Sequence, residues 1–576
     1  MKNTELCLAA LREEGLDHVF LVPGGLIDPF LPALAQTGGL TPIVAAHEGG
    51  AACMADGYAR ASGRFGACLC IGGPGVSNTV TASMAAYTDN SPVLLISGQV
   101  ATDWEGRGGF QDSSPGSVND AAMLSGVTNY SASVENPHLF RHHLRAALTR
   151  MLAGGQGPVH LSLPLDIQKA EAAAAWEPLD PSLYRPRFFD PEALERVWDI
   201  LAPGGKAPAP ERIAILAGAG VEKSEASEVL KRFAERFAIP VATTLRAKGV
   251  FPESHPLSLG VFGYAGHRPA IEALLSGEVE VLIVLGSGLS QRDTMFWDVK
   301  MLPKTALIHA DVDPTVIGRT WRSEVPLLGD CGEILRYLLS ADEERLAALA
   351  SGAPARERWM RDIRALGPSC YDAADRESEA APIHPARVAA ELRRAMPPDG
   401  AVVVDSGAHR AFFGHYYRAD APKTYFSATN LGPMGWAIPA ACGVKAAMPD
   451  APVAAVTGDG CMLMHGMEIQ TAARYGLGVL FVVINNAALG NVWLRAHKEG
   501  PGPAELTSIP RHDFAAMAKA LGLDAAVVER PDDLGPVFEA AIASGKPFLA
   551  DVRCAKEFGT PVAPWVKAKA EWIDND

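Results

Sequence analysis

Short apolar runs that alternate with helical patterns recur along the whole chain and limit the folds that it can adopt. In the first 175 residues the runs are DHVFLVPGG, FGACLCIGGPG, SPVLLISGQV and GPVHLSLPLD, each closed by Gly or Pro. Similar runs recur in a second segment and a third. Buried strands separated by helical segments are typical of parallel sheets. We therefore predict an α/β fold of three consecutive doubly wound parallel-sheet domains.

Polar, proline-bearing passages separate the three segments, as EPLDPSLYRPRFFDP does after the first. The predicted domains are residues 1–175, 190–340 and 375–555, followed by a C-terminal tail at 556–576. A length of 576 residues agrees with several domains, because one domain commonly takes about 100–200 residues.

The charge and the hydrophobic pattern exclude several function classes. A net charge of −15 argues against a nucleic-acid partner, because phosphate binding needs clustered Lys and Arg. No run approaches the roughly 18 consecutive apolar residues of a membrane span, and the N-terminus has charges where a signal peptide has its apolar core. Nine irregularly placed cysteines fit neither a disulfide framework nor a zinc site. We expect a cytoplasmic protein with no nucleic-acid or membrane partner.

One unit of the third segment, GDGCMLMHGMEIQTAARYGLGVLFVVINN, carries an acid and an amide at two predicted strand ends. The strand PVAAVTGDG ends beside Asp459, and the strand GVLFVVINN ends at Asn486. A crossover helix between parallel strands brings both ends to one edge of the sheet, where ligands bind. A carboxylate, an amide oxygen and a backbone carbonyl suit Mg²⁺ shared with phosphates. Either residue alone is more often an ordinary loop residue, but together they predict a metal–diphosphate site.

GDG followed by NN at this interval resembles the thiamine diphosphate signature of the acetohydroxyacid (acetolactate) synthase and 2-oxoacid decarboxylase superfamily. Further similar blocks extend from about Leu6 to about Val552. The resemblance implies thiamine diphosphate and Mg²⁺ as cofactors, and pyrimidine-binding, middle and diphosphate-binding domains in that order. It implies as metal ligands Asp459, Asn486 and the backbone carbonyl of Ala488. It implies further cofactor contacts from Gly73, Asn78, Gly458, Gly460, Leu489 and Gly490.

Three residues are implied to activate and shape the cofactor. Glu48 begins a helix of small residues in VAAHEGGAACMADGYARASG, and its carboxyl group matches the one that hydrogen-bonds the aminopyrimidine ring in the family. A glutamate at a helix start more often only stabilises the helix dipole. In NLGPMGWAIPAACG, Met434 matches the apolar support under the bent cofactor, and Gly432 the carbonyl that orients its amino group. In this family Glu48 and Asp459 belong to different subunits, which implies a homodimer or homotetramer with shared active sites.

The predicted substrate side favours carbon–carbon bond formation on a small 2-oxoacid. VPGGLIDPF resembles the start of acetolactate synthases, where Gly25 leaves space near the reacting carbon. Gln111 matches a glutamine of the synthases, with a turn-stabilising amide as the alternative. We predict an acetolactate synthase-like carboligase. The alternatives are a 2-oxoacid decarboxylase, a carbon–carbon lyase or hydrolase on the same cofactor, and a nucleotide-binding regulatory protein with an inactive thiamine site.

Four departures from the family pattern leave the acceptor substrate open. Asn491 stands where synthases commonly have Met, and Arg495 where they have Trp. Arg495 is either a partner for a substrate carboxylate or a solvated helix charge. Asn129 replaces a lysine of the synthases, and Leu26 replaces the pocket histidine of benzaldehyde lyase.

The middle segment has features that suit a dinucleotide. LAGAG contains Gly218 and Gly220 before a helix, and HADVDP contains Asp311 and Asp313. A lone glycine-rich turn is a weak signal. Family members hold FAD without a redox role, or ADP, or nothing in this domain, and GSGLSQRDT replaces the Gly-Ala-Arg-Phe-Asp-Asp-Arg of the FAD-binding synthases. FAD or ADP is therefore the expected ligand if this domain binds one.

Overall fold

The computed structural model of the chain describes residues 1–185, 187–205 and 209–574. Pro186 of the predicted linker, residues 206–208 of the predicted middle domain and residues 575–576 of the predicted tail lie outside the described residues.

Each segment forms one six-stranded sheet, and all fifteen pairings between neighbouring strands are parallel. The three-sheet α/β prediction is confirmed. The strands of the first sheet are β1 His18–Leu21, β2 Thr41–Val44, β3 Gly66–Ile71, β4 Val93–Gln99, β5 Tyr130–Ser133 and β6 Val159–Pro164. Those of the second are β7 Ile213–Ala217, β8 Val241–Thr243, β9 Ser258–Val261, β10 Val281–Leu285, β11 Ala306–Asp311 and β12 Val325–Leu328. Those of the third are β13 Ala401–Val404, β14 Tyr425–Phe426, β15 Val453–Gly458, β16 Val479–Asn485, β17 Asp524–Val528 and β18 Phe548–Arg553.

Helices flank each sheet. The helices of the first domain are α1 Asn3–Glu13, α2 Phe30–Gln36, α3 Glu48–Ser62, α4 Pro74–Thr88, α5 Asp120–Ser125, α6 Phe140–Leu152 and α7 Leu165–Lys169. Those of the middle domain are α8 Pro191–Leu201, α9 Ala219–Lys223, α10 Ser227–Phe237, α11 Arg268–Leu274, α12 Cys331–Leu339, α13 Glu343–Ala350 and α14 Ala353–Ala365. Those that follow are α15 Pro385–Ala395, α16 Ala408–Tyr416, α17 Ala437–Ala447, α18 Asp459–His465, α19 Ile469–Tyr475, α20 Gly490–Ala496, α21 Pro501–Leu506, α22 Phe514–Ala520, α23 Leu534–Ser544 and α24 Ala563–Asp574.

The strand orders divide the sheets into two kinds. The first sheet has the order β2-β1-β3-β4-β6-β5, and the third repeats it as β14-β13-β15-β16-β18-β17. The middle sheet has the order β9-β8-β7-β10-β11-β12, which is the order of dinucleotide-binding sheets. The central strands are buried on both faces, as in VLIVL of β10, because helices cover both sides of a parallel sheet.

The first and third domains of the chain share one hydrophobic core. Helices α3 and α17 meet backbone to backbone, since a Cβ at Gly57 would lie 2.1 Å from the carbonyl oxygen of Ala440 and one at Gly443 would lie 1.9 Å from that of Met54. The middle domain has separate clusters of buried apolar residues. The two outer domains are therefore packed as one body, with the middle domain inserted between them in sequence.

The crossover that carries the predicted metal site contains two helices. The helical part begins at Asp459, directly after the strand, and a short 3₁₀ turn divides it into α18 and α19. Gly476 ends α19 in the left-handed conformation at φ 64°, as is common for glycine after a helix.

In the predicted tail, α24 returns to the middle domain, where Trp565 packs on Tyr264 and Phe296. A search of the described residues finds no helix that is both long and apolar enough to cross a membrane.

Candidate active site

A cleft opens at the carboxyl edge of the third sheet, where β13 and β15 lie side by side. The strand order reverses here, with β14 on one side and β16 on the other, and ligands of doubly wound sheets bind at such a reversal. The cavity has a volume of about 100 Å³. Met434 and residues that follow β13, β15 and β16 line it, within 406–409, 458–461 and 484–492. It includes the three predicted metal ligands and the predicted contacts Gly458, Gly460, Leu489 and Gly490.

The side-chain oxygens of Asp459 and Asn486 converge on one backbone N–H. The amide of Ala488 donates to Asp459 Oδ2 and to Asn486 Oδ1, each at 3.2 Å. The structure therefore brings together the two residues that the sequence spaced 27 positions apart. Within the described residues no three His, Cys, Asp or Glu side chains form a metal-binding group. A divalent cation here would depend on one carboxylate, one amide oxygen, a backbone carbonyl and oxygens of its ligand.

Asp459 is buried at the start of α18, with 3% of its surface exposed. Burial raises the pKa of its carboxyl group to about 6, although backbone N–H groups, first that of Gly460, oppose the shift. A cation beside the carboxylate would favour its ionised form. The chemistry of this buried acid therefore fits a bound metal.

The loop after β16 is held in a strained conformation. Ala487 has φ +57°, which costs a non-glycine residue about 1–3 kcal/mol. The amide of Ile509 donates to the carbonyl of Ala487, and that of Leu489 to the carbonyl of Thr507, both at 2.9 Å. These bonds fix the turn that directs the Ala488 amide at the two oxygens.

The cleft also fits a diphosphate, because a buried nitrogen without a partner is available to a phosphate group and the lining glycines let the backbone come close to it. His409 is 4% exposed, and its Nε2 has no hydrogen-bond partner. A Cβ at Gly458 would lie 3.2–3.3 Å from this ring, so a side chain there would crowd the imidazole. Burial lowers the pKa of His409 to about 3, so the imidazole is neutral at pH 7. Sequence reasoning missed His409, although DSGAH directly after the strand AVVV was an available signal.

Asp405 was also missed, and it holds the wall of the cleft. Its carboxylate accepts hydrogen bonds from the Ser406 amide at 2.8 Å, the Gly435 amide at 3.0 Å and the Thr457 hydroxyl at 3.0 Å. Burial raises its pKa to about 6. Through Gly435 it fixes the turn that carries Met434, whose methyl group would be 3.1 Å from a Cβ at Gly460. Met434 thus lines the cleft, and Gly432 lies two residues before it, at φ +66°.

The predicted residues of the first domain lie at the carboxyl edge of the first sheet. Glu48 begins α3 and is half-buried, and its Oε2 accepts a hydrogen bond from Asn78 Nδ2 at 2.9 Å. Gly73, after β3, has φ +63° and donates its amide to Asp120. Glu48 and Asn78 are therefore brought together, with Gly73 at the start of the same helix as Asn78.

Gln111 and Gly25 follow β4 and β1 at the same edge. Gln111 is in the left-handed region at φ +59°, and its neighbour Phe110 is 86% exposed. A Cβ at Gly25 would meet nothing within 4 Å, which agrees with the open space predicted there. The roles of both residues stay predictions.

The two groups of site residues lie apart within the chain. Among the described residues, none of the first domain lines the cleft around Asp459. The buried Glu468, which follows α18, links the two edges indirectly, because it accepts the amides of Ala46 and His47 at 3.1 and 3.0 Å. A residue of the third domain thus holds the loop that ends at Glu48.

The departures from the family pattern have different surroundings. Asn491 lines the cleft, whereas Arg495 is exposed. The Asn129 side chain donates to the carbonyl of Gly155 at 3.1 Å, and Leu26 is buried.

A larger cavity of about 310 Å³ lies between the middle domain and the first domain, lined by Gly220, Asp311 and Asp313 on one side and by Asn90 and Gly155 on the other. Gly218 and Gly220 lie against the Gly286 turn, where a Cβ on Gly220 would be 2.6 Å from the Gly286 Cα. The basic side chains at this cavity are Arg185, Arg187, Lys223, Arg246, Arg319 and Arg336.

Comparison with known protein families gives three matches in chain order. The N-terminal TPP binding domain of thiamine pyrophosphate enzymes matches residues 1–120, the central domain matches 209–338, and the C-terminal TPP binding domain matches 405–552.

Full-length relatives carry the name acetolactate synthase large subunit. A probable one from Methanocaldococcus jannaschii is 33% identical over 98% of this chain and 94% of its own length. One from Corynebacterium glutamicum is 33% identical over 94% of this chain and 84% of its own length. A probable one from Methanococcus aeolicus is 31% identical over 96% of this chain and 92% of its own length.

Proposed function

Because this chain belongs to the thiamine pyrophosphate enzyme family, we propose that it is a thiamine diphosphate-dependent carboligase of the acetolactate synthase type. It joins a pyruvate-like 2-oxoacid donor to a second carbonyl compound and releases CO₂. The observation that carries the proposal is the convergence of Asp459 and Asn486 on the Ala488 amide at the reversal of the third sheet. Thiamine diphosphate supplies the electron sink for breaking the bond between the carboxylate and the carbonyl carbon.

The third domain holds the diphosphate end of the cofactor. We assign Asp459, Asn486 and the carbonyl of Ala488 to a Mg²⁺ ion, since their oxygens suit a hard cation. Gly458, Gly460, Leu489 and Gly490 supply backbone close to the phosphates, and neutral His409 offers its unpaired nitrogen. The start of α18 adds backbone N–H groups that favour negative charge.

The first domain contacts the ring end of the cofactor. We assign Glu48 to the aminopyrimidine ring, supported by Asn78, with Gly73 beside them. Met434 and Gly432 position the two rings, and Gln111 and Gly25 face the reacting substrate. Gly25 supports this assignment because the space beside it is open.

The separation of the two edges supports a shared site. Glu48 is only half-buried within its own chain, which is expected if a partner subunit covers its carboxyl group. We therefore propose a homodimer or homotetramer in which Glu48 of one protomer meets Asp459 of its partner. The corresponding domains are pyrimidine-binding at 1–175, middle at 190–340 and diphosphate-binding at 375–555, with the tail at 556–576.

We propose a nucleotide, FAD or ADP, for the middle domain. Its strand order and the 310 Å³ cavity beside the Gly220 turn support a dinucleotide-like ligand. Flavin absorbance of the purified protein separates FAD from ADP. We also propose a cytoplasmic location, supported by the nine unpaired cysteines.

Incubation of the purified protein with pyruvate, Mg²⁺ and thiamine diphosphate tests the main proposal. We expect CO₂ and acetolactate in a ratio of about one to one, because one donor loses its carboxylate for each acceptor joined. Acetaldehyde in place of acetolactate would identify a decarboxylase. Failure to turn over any 2-oxoacid, alone or with an aldehyde acceptor, would contradict the proposal.

A further inference from the structure

Asp120 is a fully buried acid that no cation neutralises. It is the first residue of α5 and 0% exposed. Its Oδ2 accepts hydrogen bonds from the Ser113 hydroxyl at 2.8 Å and from the Gly73 amide at 3.0 Å. Within the described residues its Oδ1 has no hydrogen-bond partner, and no cation lowers its pKa, which burial raises. Burying an acid in this way is costly, and such exceptions are expected at functional sites.

The hydrogen bonds around Ser113 determine which atoms donate. Gln99, the last residue of β4, accepts the backbone amides of Val100 at 2.9 Å and Ser113 at 3.1 Å with its Oε1. Its Nε2 therefore faces the Ser113 hydroxyl and donates to it at 2.9 Å. The hydroxyl proton is left for Asp120, and the Gly73 amide can only donate. The Oδ2 atom of Asp120 must therefore be an unprotonated acceptor, whatever the charge of the carboxyl group.

Asp120 thereby joins two parts of the predicted site. Gln111 lies two residues before the serine that donates to Asp120, and its φ of +59° is strained for a residue other than glycine. Gly73 precedes α4, and a Cβ built on it would lie 3.9 Å from the carbonyl oxygen of Gln111. Asn78, in α4, donates to Glu48 at 2.9 Å. One carboxylate oxygen therefore holds the Gln111 turn against the start of the helix that contacts Glu48.

The junction beside Asp120 is closed by backbone. A Cβ at Gly72 would lie 2.6 Å from the Gly98 carbonyl oxygen and 2.6 Å from the Ser113 hydroxyl oxygen. The Gly72 amide donates to that carbonyl at 2.7 Å. The ends of β3 and β4 are thus in direct contact, and the carboxylate has a fixed place relative to both strands.

We propose that Asp120 is a positioning residue that sets the place of Gln111 relative to Glu48. The inference rests on the proposed function, which assigns Gln111 to the substrate and Glu48 to the cofactor ring. Without the acceptor oxygen, the Gln111 turn and the start of α4 lose the group that links them. A displacement of about 1 Å at a reacting centre can lower the rate about 100-fold.

Hydrogen exchange of the full-length protein without substrate tests the link itself. Asp120→Ala removes the acceptor of the Gly73 amide, so we expect the exchange of that amide to accelerate about 10-fold or more. Asp120→Asn keeps an acceptor oxygen at the position of Oδ2, and its exchange should stay within about 3-fold of the wild type. Glu135→Ala, at an exposed residue just after β5, is the control. Exchange at Gly73 that is the same in Asp120→Ala and in the wild type would overturn the inference.

Kinetics with pyruvate identify the residue through which Asp120 acts. We expect Asp120→Ala to lower kcat/KM about 100-fold per cofactor-loaded site, with the cofactor Kd changed less than about 3-fold. Asp120→Asn should retain most of the activity. In a chain that already carries Gln111→Ala, Asp120→Ala should add little, because both changes act on one contact.

The outcomes separate this inference from the proposed function. An active wild type in which the losses of Asp120→Ala and Gln111→Ala are fully additive would overturn the inference alone. A loss in Asp120→Asn equal to that in Asp120→Ala would do the same, because the acceptor oxygen would then not be what matters. A wild type that turns over no 2-oxoacid would reject the carboligase, and with it the role of Gln111, whatever the exchange at Gly73.

Discussion

The first and third sheets have the same strand order, but the acidic residues at their carboxyl edges differ in burial and in hydrogen bonding. At the third edge Asp459 is buried, and its two carboxylate oxygens accept the Gly460 and Ala488 amides. At the first edge Glu48 is half-buried, and one exposed amide, that of Asn78, contacts it. One edge is completed within its own chain, whereas the other is left open.

The two edges nevertheless share one property. Large apolar side chains are exposed near both, with Phe110 beside Gln111, and Leu463, Met464 and Met467 in and just after α18. Contiguous exposed apolar surface usually marks an interaction site. The same topology can thus carry an acid that is satisfied within the chain at one edge and an acid that is left more open at the other.

Asp459→Ala should have the largest effect, because it removes the only predicted charged metal ligand. We expect Mg²⁺-dependent retention of thiamine diphosphate to be lost, with the cofactor Kd raised about 100-fold or more. Equilibrium dialysis with and without Mg²⁺ measures this. Asp524→Ala, at an exposed residue of the same domain, is the control. Unchanged retention would remove Asp459 from the metal site.

Glu48→Gln should separate activation from binding. The amide keeps the shape of the side chain but cannot supply the carboxyl proton, so we expect kcat to fall about 100-fold or more. The cofactor Kd should change much less. Pre-steady-state turnover and cofactor titration measure the two quantities, with the exposed Glu13→Gln as control. Equal losses in both would make Glu48 a structural residue.

Mixing the Glu48→Gln and Asp459→Ala variants tests whether one active site takes Glu48 from one subunit and Asp459 from the other. If Glu48 and Asp459 come from different chains, each mixed dimer contains one wild-type site and one doubly altered site. Random exchange should then restore about a quarter of the wild-type activity. The assay follows product formation after dissociation and reassociation of equal amounts. No recovery in demonstrated mixed dimers would place both residues of a site in one chain.

His409→Gln should have the smallest effect, a change in how the free energy of unfolding depends on pH. That dependence reports on the burial of the imidazole at the third edge. The pKa of His409 is about 3 in the folded chain against an ordinary value of 6.5. Below pH 6.5 the unfolded chain therefore binds a proton that the native state does not, so stability is lost as pH falls toward 3. The substitution should reduce this slope by up to about 1.4 kcal/mol per pH unit.

Chemical denaturation of the cofactor-free protein between pH 5 and 6.5 measures the His409 slope. Measurements at pH 7–8, where the imidazole is neutral in both states, provide the control. An unchanged slope between pH 5 and 6.5 would mean that His409 is protonated in the folded chain.

Sequence alone could predict the features that depend on local order. Asp459 and Asn486 flank one crossover, so their approach follows from the direction of two adjacent strands. Gly476 could be predicted as a C-cap because glycine after a helix has a known conformation. The three parallel sheets followed from the alternation of strands and helices.

Other features depend on contacts between distant segments. Asp405 follows β13, more than fifty residues before Asp459, and no motif marks it. The cofactor resemblance emphasised GDG and NN, so the unpaired His409 nitrogen was not anticipated. The exposure of Glu48 was also unforeseen, because a single chain does not contain the surface that the proposed partner subunit provides.

The contact of α3 with α17 has a consequence for how the protein is made. Since Gly57 lies against Ala440 with no space for a side chain, the N-terminal core remains incomplete until the ribosome has synthesised the distant C-terminal helix. The face of α3 that packs against α17 therefore stays uncovered while the whole middle region emerges. Apolar surface that is exposed during synthesis is prone to aggregation.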